Sequence, residues 1–590
     1  MPAKNTVTAC HSGGLIPRPD IITTSAVIAM AAANSSYGAN RLAAYLAKFS
    51  PVPAFPEYTG PYKVGTMDVE IPVTDLPAPS PAPAVADGIE TVQYRVFYPA
   101  VPESVEKPIS WLPAPQRNHV SAYTQFVGIN STLAGVLSHL HYATIPVHKN
   151  AKLLPADTDD HRWPTMIFSH GLGGNRTSYS YIAGSLASHG VVVFCPEHRD
   201  GSAAVTYIRL KDQMDRFFTA STRREVPYSR ISHTITPEVY EAREDQLRIR
   251  LWELGLIHEA IQAMDSGDSF TNLNLSTPSL DQFTDALDVK RPGSIIFAGH
   301  SFGAATVYQL LKSTYYADVP EVAAMEKPLF TPAKNSSIRK QITEKNVTML
   351  LDMWCLALLA PNSAPLYNLP LPVYADTSSA PGGTGLLAVE SESFFKWTEH
   401  LDVKARLLSP DPTTKVVGPQ TFETQSGMKH VEPNFFYVVN SAHLSQSDFG
   451  ILFPFLTKKI FDAEQPERAL RLNLRAQLQL LRANGIPVAR TYTGDLIDGS
   501  HMDKFDVKKK TDPVGPHPTD GIVDDKAIFD RSGSNVVDNW GWIDVIGLGD
   551  SGEKETTKSV AEQVEDGEEV IKGELEPSEQ RLPAAVNAAA

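Results

Sequence analysis

Apolar and polar positions along the chain follow two rhythms. Short runs with almost no polar interruption recur at residues 165–169, 191–195, 295–298, 347–351, 386–389 and 435–439. Runs of this length without alternation are what strands buried on both faces look like. The stretch Val92-Gln-Tyr-Arg-Val-Phe-Tyr-Pro alternates instead, and Tyr58-Thr-Gly-Pro-Tyr-Lys-Val-Gly before it marks the start of the core. Between the strands, residues 179–189, 239–263 and 306–315 repeat their apolar positions at helical spacing, and residues 468–484 carry leucines in the same way. Strand and helix in alternation predict an α/β domain, a mostly parallel sheet with helices on both faces. The pattern spans residues 57–503. Residues 1–56, small, polar and broken by prolines, are expected to form a poorly ordered arm; residues 504–590 are expected to form a largely disordered tail, too poor in apolar side chains for a second core. A proline-rich insertion at 361–383 separates two strands, and loops of that length are usually lids over a site or disorder.

One of the apolar runs hands over to a helix through Gly299-His-Ser-Phe-Gly303. A serine hydroxyl is a weak nucleophile until a base takes its proton, and it must be lifted clear of the sheet to meet substrate. A sharp strand-to-helix turn does the lifting, and the turn is tight enough to require small residues two places before and after the serine. Ser301 is therefore the candidate nucleophile of an acyl-transfer site. Such a site needs donors for the developing oxyanion. The N–H of Phe302, at the helix start, is one candidate. The loop Ser169-His-Gly-Leu-Gly-Gly174 after an earlier strand supplies the other, the N–H of Leu172.

The base is expected downstream, just past a late strand. His400, His430, His443, His501 and His517 follow Ser301, and His443 alone stands immediately beyond a buried run. The acid has more than one candidate. Asp352 ends the first strand after the nucleophile, while Glu390 and Glu392 end the next. A carboxylate flanked by Leu351 and Met353 would be buried and would need a partner such as an imidazole, but position leaves the choice nearly even.

Composition narrows the setting. A net charge of -15 argues against non-specific nucleic-acid binding. Part of the acidity sits between Ser551 and Glu579, where ten acidic residues face three lysines. Three cysteines make no disulfide framework and suit a reducing compartment. Cys195 and Cys355 are expected to be buried thiols. The apolar stretch at 21–33 follows Ile16-Pro-Arg-Pro-Asp20 rather than a basic flank, so an intracellular, cytoplasmic protein is expected over a secreted one. Gly547-Leu-Gly-Asp-Ser-Gly552 fits a dinucleotide fingerprint but lacks its strand–helix–strand setting, and His198-Arg-Asp200 lacks the asparagine of a kinase loop. His139 and His141 are not at metal-ligand spacing. No cofactor and no metal are expected.

These motifs, taken in order, resemble the plasma-type platelet-activating factor acetylhydrolases, the group VII phospholipases A2. The matching blocks are Tyr58-Thr-Gly-Pro-Tyr-Lys-Val-Gly65, Phe168-Ser-His-Gly-Leu-Gly173, Leu186-Ala-Ser-His-Gly190, Glu197-His-Arg-Asp-Gly-Ser-Ala203, Gly299-His-Ser-Phe-Gly-Ala-Ala-Thr306, Leu351-Asp-Met-Trp354, and His443 with Asp448-Phe449. The resemblance covers roughly residues 56–485. It implies an α/β-hydrolase fold and a calcium-independent serine esterase that removes short or oxidised sn-2 acyl groups from phospholipids. It implies Ser301 as nucleophile, Asp352 as acid, His443 as base, and Leu172 and Phe302 as oxyanion donors. The second glycine after the elbow is Ala304 here, and the insertion at 361–383 lies outside the resemblance, so acetyl specificity does not carry over. A phospholipid surface is the expected partner. Residues 118–142, with Tyr123, Phe126, Val127, Leu133, Leu137 and Leu140 at helical spacing, offer a stripe for peripheral membrane contact, although a face toward the core is the commoner use of such a stripe. The competing functions are a general carboxylesterase or lipase on neutral esters, and a non-catalytic lipid-binding scaffold of the same fold.

Overall fold

The computed structural model describes residues 55–126, 138–209, 223–453 apart from 278, and 466–492, and then 522–523, 525–531, 537 and 539–549. Nine strands frame the candidate site: β1 (Lys63–Pro72), β2 (Thr91–Ala100), β3 (Trp163–Ser169), β4 (Val192–Glu197), β5 (Ile296–His300), β6 (Thr348–Leu351), β7 (Leu386–Ser391), β8 (Asn434–Val438) and β9 (Trp540–Trp542). They belong to one eleven-stranded sheet in the order β1-β2-β4-β3-β5-β6-β7-β8-β9, with short strands added beside β1 and β3. From β4 to β8 every pairing is parallel, while β2 runs antiparallel to both neighbours.

Helices cover both faces, as parallel strands buried on two sides require. On one side lie α3 (Pro237–Ser266) and α4 (Phe302–Tyr315), packed on Tyr94, Ile167, Phe194 and Phe297. On the other lie α2 (Ser180–Ser188) and α6 (Pro466–Ala483), packed on Phe97, Phe168, Val193 and Leu387. Two apolar clusters thus sandwich the sheet. With a serine on the sharp turn between β5 and α4, the architecture is the α/β-hydrolase fold. No helix among the described residues is long and apolar enough to cross a membrane.

Three expectations from the sequence need correction. The domain does not stop at residue 503: β9 pairs antiparallel with β8 and extends the central sheet, and Trp540 and Trp542 pack on Phe436. A three-residue strand is too short to betray itself by periodicity. At the other end Phe55, assigned to the arm, is already buried; residues 1–54, 493–521 and 550–590, where the rest of the expected arm and tail fall, lie outside the described residues. The membrane stripe at 118–142 does not form one outward face. Helix α1 (Gln116–Phe126) buries Val120 and Tyr123, the latter against Trp111 and Phe449, and Leu140 is wholly buried. Val127, Leu133 and Leu137 lie outside the described residues. The insertion at 361–383 is folded into the domain by short helical turns that bury Leu366, Leu371, Val373 and Tyr374 in the core.

Candidate active site

The parallel strands β3, β5, β6, β7 and β8 all end at one edge of the sheet, and the polar side chains of interest stand on the turns that leave it. Ser301 follows β5 with φ 57° and ψ -123°, a left-handed conformation that a side chain bears only under constraint. The constraint is backbone hydrogen bonding: the Ser301 N–H donates to Leu351 O at 2.9 Å and its carbonyl accepts from Trp354 N–H at 3.3 Å. The flanking glycines are where the chain has no room. A Cβ on Gly299 would stand 2.5 Å from the Gly303 carbonyl, and one on Gly303 would stand 2.1 Å from Ser169 O.

His443 opens the short helical turn His443–Gln446 beyond β8. Its Nδ1 is 2.9 Å from Asp352 Oδ2. Asp352 follows β6, is fully buried and has φ 40°. The end of β7 grips it: Asp352 N–H donates to Val389 O at 2.8 Å, and Ser391 N–H donates to Asp352 Oδ1 at 2.6 Å. Phe394 stacks on the His443 imidazole at 4.3 Å with an interplanar angle of 4°, and the His300 ring lies 4.4 Å away. His300 Nδ1 is 2.8 Å from the Tyr179 hydroxyl, which also accepts from Gly171 N–H at 3.1 Å. Asp448, a few residues past His443, receives Ser180 N–H, Tyr181 N–H and Trp111 Nε1–H at 2.8–2.9 Å, and so ties the His443 segment to the start of α2.

Withdrawal from water, helped by the nearby Lys404 cation, holds the His443 imidazole well below its ordinary value. It is therefore neutral at neutral pH, the state a base requires. Burial raises the Asp352 carboxyl, against the pull of Lys404 and the Ser391 hydrogen bonds. With Nδ1 facing the carboxylate, Nε2 is the ring nitrogen left for proton transfer.

The loop after β3 runs beside the serine. A Cβ on Gly171 would lie 2.8 Å from Ser301 Cβ, so Leu172 is within one residue of van der Waals contact with the elbow. Among the described residues, neither Leu172 N–H nor Phe302 N–H has a protein acceptor. Below them sits Arg250 of α3, fully buried. Its guanidinium donates to His170 O at 2.8 Å and to Asp200 Oδ2 at 2.6 Å, and lies 4.5 Å over the Phe302 ring. His198, its ring tilted by 49° against His170 at 4.8 Å, bonds Ser169 Oγ and Glu253. The sequence offered His198 and Asp200 as an incomplete match to a kinase loop; the network around Arg250 was not legible there.

The remaining candidates go elsewhere. Glu390 forms a buried ion pair with Lys404. Glu392 pairs with Lys396 and accepts Asn440 N–H. His400 Nε2 accepts Cys355 N–H at 3.1 Å, and His430 packs on Tyr374; His501 and His517 lie outside the described residues. Cys195 and Cys355 are buried free thiols, and burial pushes both up. Among the described residues, the donor atoms of His300, Asp352 and His443 lie within 4.8 Å of one another, close enough for a metal ion, but Asp352 and His443 already bond each other. Lys404, Phe394 and Tyr179 escaped the sequence reading because their signals, a lysine inside a helix and two aromatics, are ordinary.

A family model described as platelet-activating factor acetylhydrolase, isoform II, matches residues 47–354. A Schizosaccharomyces pombe protein with the provisional name phospholipase A2 is 26% identical over 455 residues, which is 74% of this chain and 94% of that one. The platelet-activating factor acetylhydrolase of Bos taurus is 32% identical over 223 residues, covering 37% of this chain and 46% of its own. That of Canis lupus familiaris is 30% identical over 281 residues, covering 47% and 56%. The chain thus spans about half the length of these mammalian relatives. Among solved structures, a ferulic acid esterase from Streptomyces cinnamoneus superposes with a TM-score of 0.37 at 14% identity, over 72% of this chain and 92% of that one.

Proposed function

This chain belongs to the platelet-activating factor acetylhydrolase family, isoform II, and from that premise we propose that it is a serine esterase cutting the sn-2 ester of phospholipids that carry short or oxidised acyl chains. Ser301 Oγ attacks the ester carbonyl while His443 Nε2 takes its proton, and Asp352 holds the imidazole and stabilises its cationic form. The N–H groups of Leu172 and Phe302 receive the charge that builds on the carbonyl oxygen. Collapse of the tetrahedral intermediate breaks the bond to the glycerol oxygen, which leaves as lysophospholipid with the proton from His443. Water, deprotonated by the same nitrogen, then releases the acyl group and restores Ser301.

The single observation that carries this reading is the Asp352–His443 bond of 2.9 Å, beside a serine on a left-handed elbow. Every proton transfer runs through His443, so calcium independence belongs to the same proposal, and full activity in a chelating buffer is expected. The lipid surface as the place of action, and an intracellular setting suggested by the buried free thiols Cys195 and Cys355, are part of it too. The test is Ser301→Ala: turnover of a short-chain phosphatidylcholine should fall by several powers of ten with the melting temperature unchanged, and labelling by a fluorophosphonate probe should vanish. Near-normal hydrolysis by that variant sinks the assignment. A higher kcat/KM on a simple aryl ester than on the phosphatidylcholine would move the substrate class to neutral esters.

A further inference from the structure

Helix α5 (Thr398–Leu407) carries a lysine where an apolar residue would cost nothing: the Lys404 side chain is 1% exposed and faces the equally buried Glu390 at the end of β7. Taking two charges out of water is costly, and one ion pair seldom repays it, so a role beyond stability is the hypothesis such a pair invites. Two contacts link it to the site. Glu390 directly precedes Ser391, whose N–H donates to Asp352 at 2.6 Å. Lys404 Nζ lies 5.0 Å from the centroid of Phe394, the ring that stacks on His443 at 4.3 Å.

We propose that Lys404 and Glu390 form a positioning unit that sets the charge balance behind Asp352 and His443, an inference that rests on the reading of the site given above. Burial raises the Glu390 carboxyl to about 8 against the pull of Lys404, and the neighbouring buried carboxylate of Asp352 adds to the rise, so the two acids compete for one proton. The Lys404 cation lets Asp352 keep its charge and disfavours a second cation on His443, while Glu390 keeps the lysine from overwhelming that balance. The other titratable groups around the pair stay out of the exchange. His400, on the same helix, and His300, at the end of β5, are both held well below their ordinary range by burial. The Cys355 thiol, on the turn after β6, is pushed up by burial. The guanidinium of Arg406, also on α5, acts on Cys355.

The experiment is the pH dependence of kcat/KM on a water-soluble short-chain phosphatidylcholine, for the full chain and its Lys404→Met, Lys404→Arg and Glu390→Gln variants, with Ser301→Ala as blank and a melting curve for each. The acid limb reports protonation of the base. Removing the cation should move that limb up by about one pH unit, Glu390→Gln should move it down, and Lys404→Arg should leave it near the parent. Opposite shifts are something a purely structural pair does not produce. If Lys404→Met and Glu390→Gln lower activity by the same factor at every pH, the proposal is wrong. If Lys404→Met fails to fold, the isosteric Glu390→Gln decides alone, and an unmoved limb overturns the idea. Hydrolysis surviving in Ser301→Ala would instead indict the reading of the site.

Discussion

Ser301 and Asp352 share an unusual trait: both are non-glycine residues with positive φ, 57° and 40°. Strain of that kind persists only where the surroundings over-determine it, and it clusters at functional sites. Here the determinants are named hydrogen bonds from neighbouring strand ends, so each side chain is aimed by the sheet rather than by a mobile loop. Replacing Asp352 by Asn keeps the shape but leaves the imidazole in the wrong tautomer. Turnover should fall by about 10⁴-fold with KM little changed, as steady-state kinetics will show. Gly171→Ala should act on the loop proposed to bind the oxyanion, because its Cβ would meet Ser301 Cβ at 2.8 Å; a loss in kcat of about 10²-fold without loss of fold is expected. At this scale the sequence was half legible. The elbow announces itself because its glycine spacing is local and steric. Which carboxylate reaches His443 did not, because the answer lies in Lys404, fourteen residues beyond Glu390 and on another element. No periodicity encodes which acid a distant lysine will neutralise.

Helix α3 shows what an element adds. Its apolar positions predicted a helix, yet the same helix buries Arg243, Arg250, Glu253 and His258. Arg250 joins the His170 carbonyl, in the loop that holds Leu172, to the Phe302 ring at the start of α4. Arg250→Met should therefore lower kcat by about 10- to 100-fold while substrate affinity holds. It should also weaken binding of a trifluoromethyl ketone, which mimics the tetrahedral state, more than binding of product. His258 on this helix and His170 in that loop are held at about 3 and about 4 by burial. Their folded values lie below the unfolded one, so the folded chain binds fewer protons. Stability is complete above about pH 6.5 and drains away as pH falls toward those folded values. By pH 4.5 each should have cost about 3 kcal/mol, visible as a falling melting temperature between pH 7 and 4.5. Element types were readable from apolar rhythm, but not the direction an amphipathic face would turn. The stripe around Tyr123 reads alike whether it meets lipid or Phe449, and the partner lies more than three hundred residues away.

For the molecule as a whole, the sheet runs among the described residues to β9, drawn from a region whose polar and acidic composition concealed it. Gly541 makes the closure feasible: a Cβ there would stand 2.2 Å from the Tyr437 ring. Trp540 and Trp542 then cover Phe436. Trp542→Ala should cost about 2 kcal/mol, less than a fully buried tryptophan because its exposure is intermediate; chemical denaturation will read it. The alternation of elements was plain from the sequence. The last strand was not, because three residues carry too little pattern to outweigh their neighbourhood. That late strand also gives the protein a birth order. At synthesis rates of roughly 5–20 residues per second, β8 waits roughly 5–20 s on the ribosome for its neighbour to emerge. Through that interval its bare edge can template pairing with the nascent chain next along the message. Yield should therefore depend on how densely ribosomes load the transcript, a vulnerability that the finished enzyme no longer has.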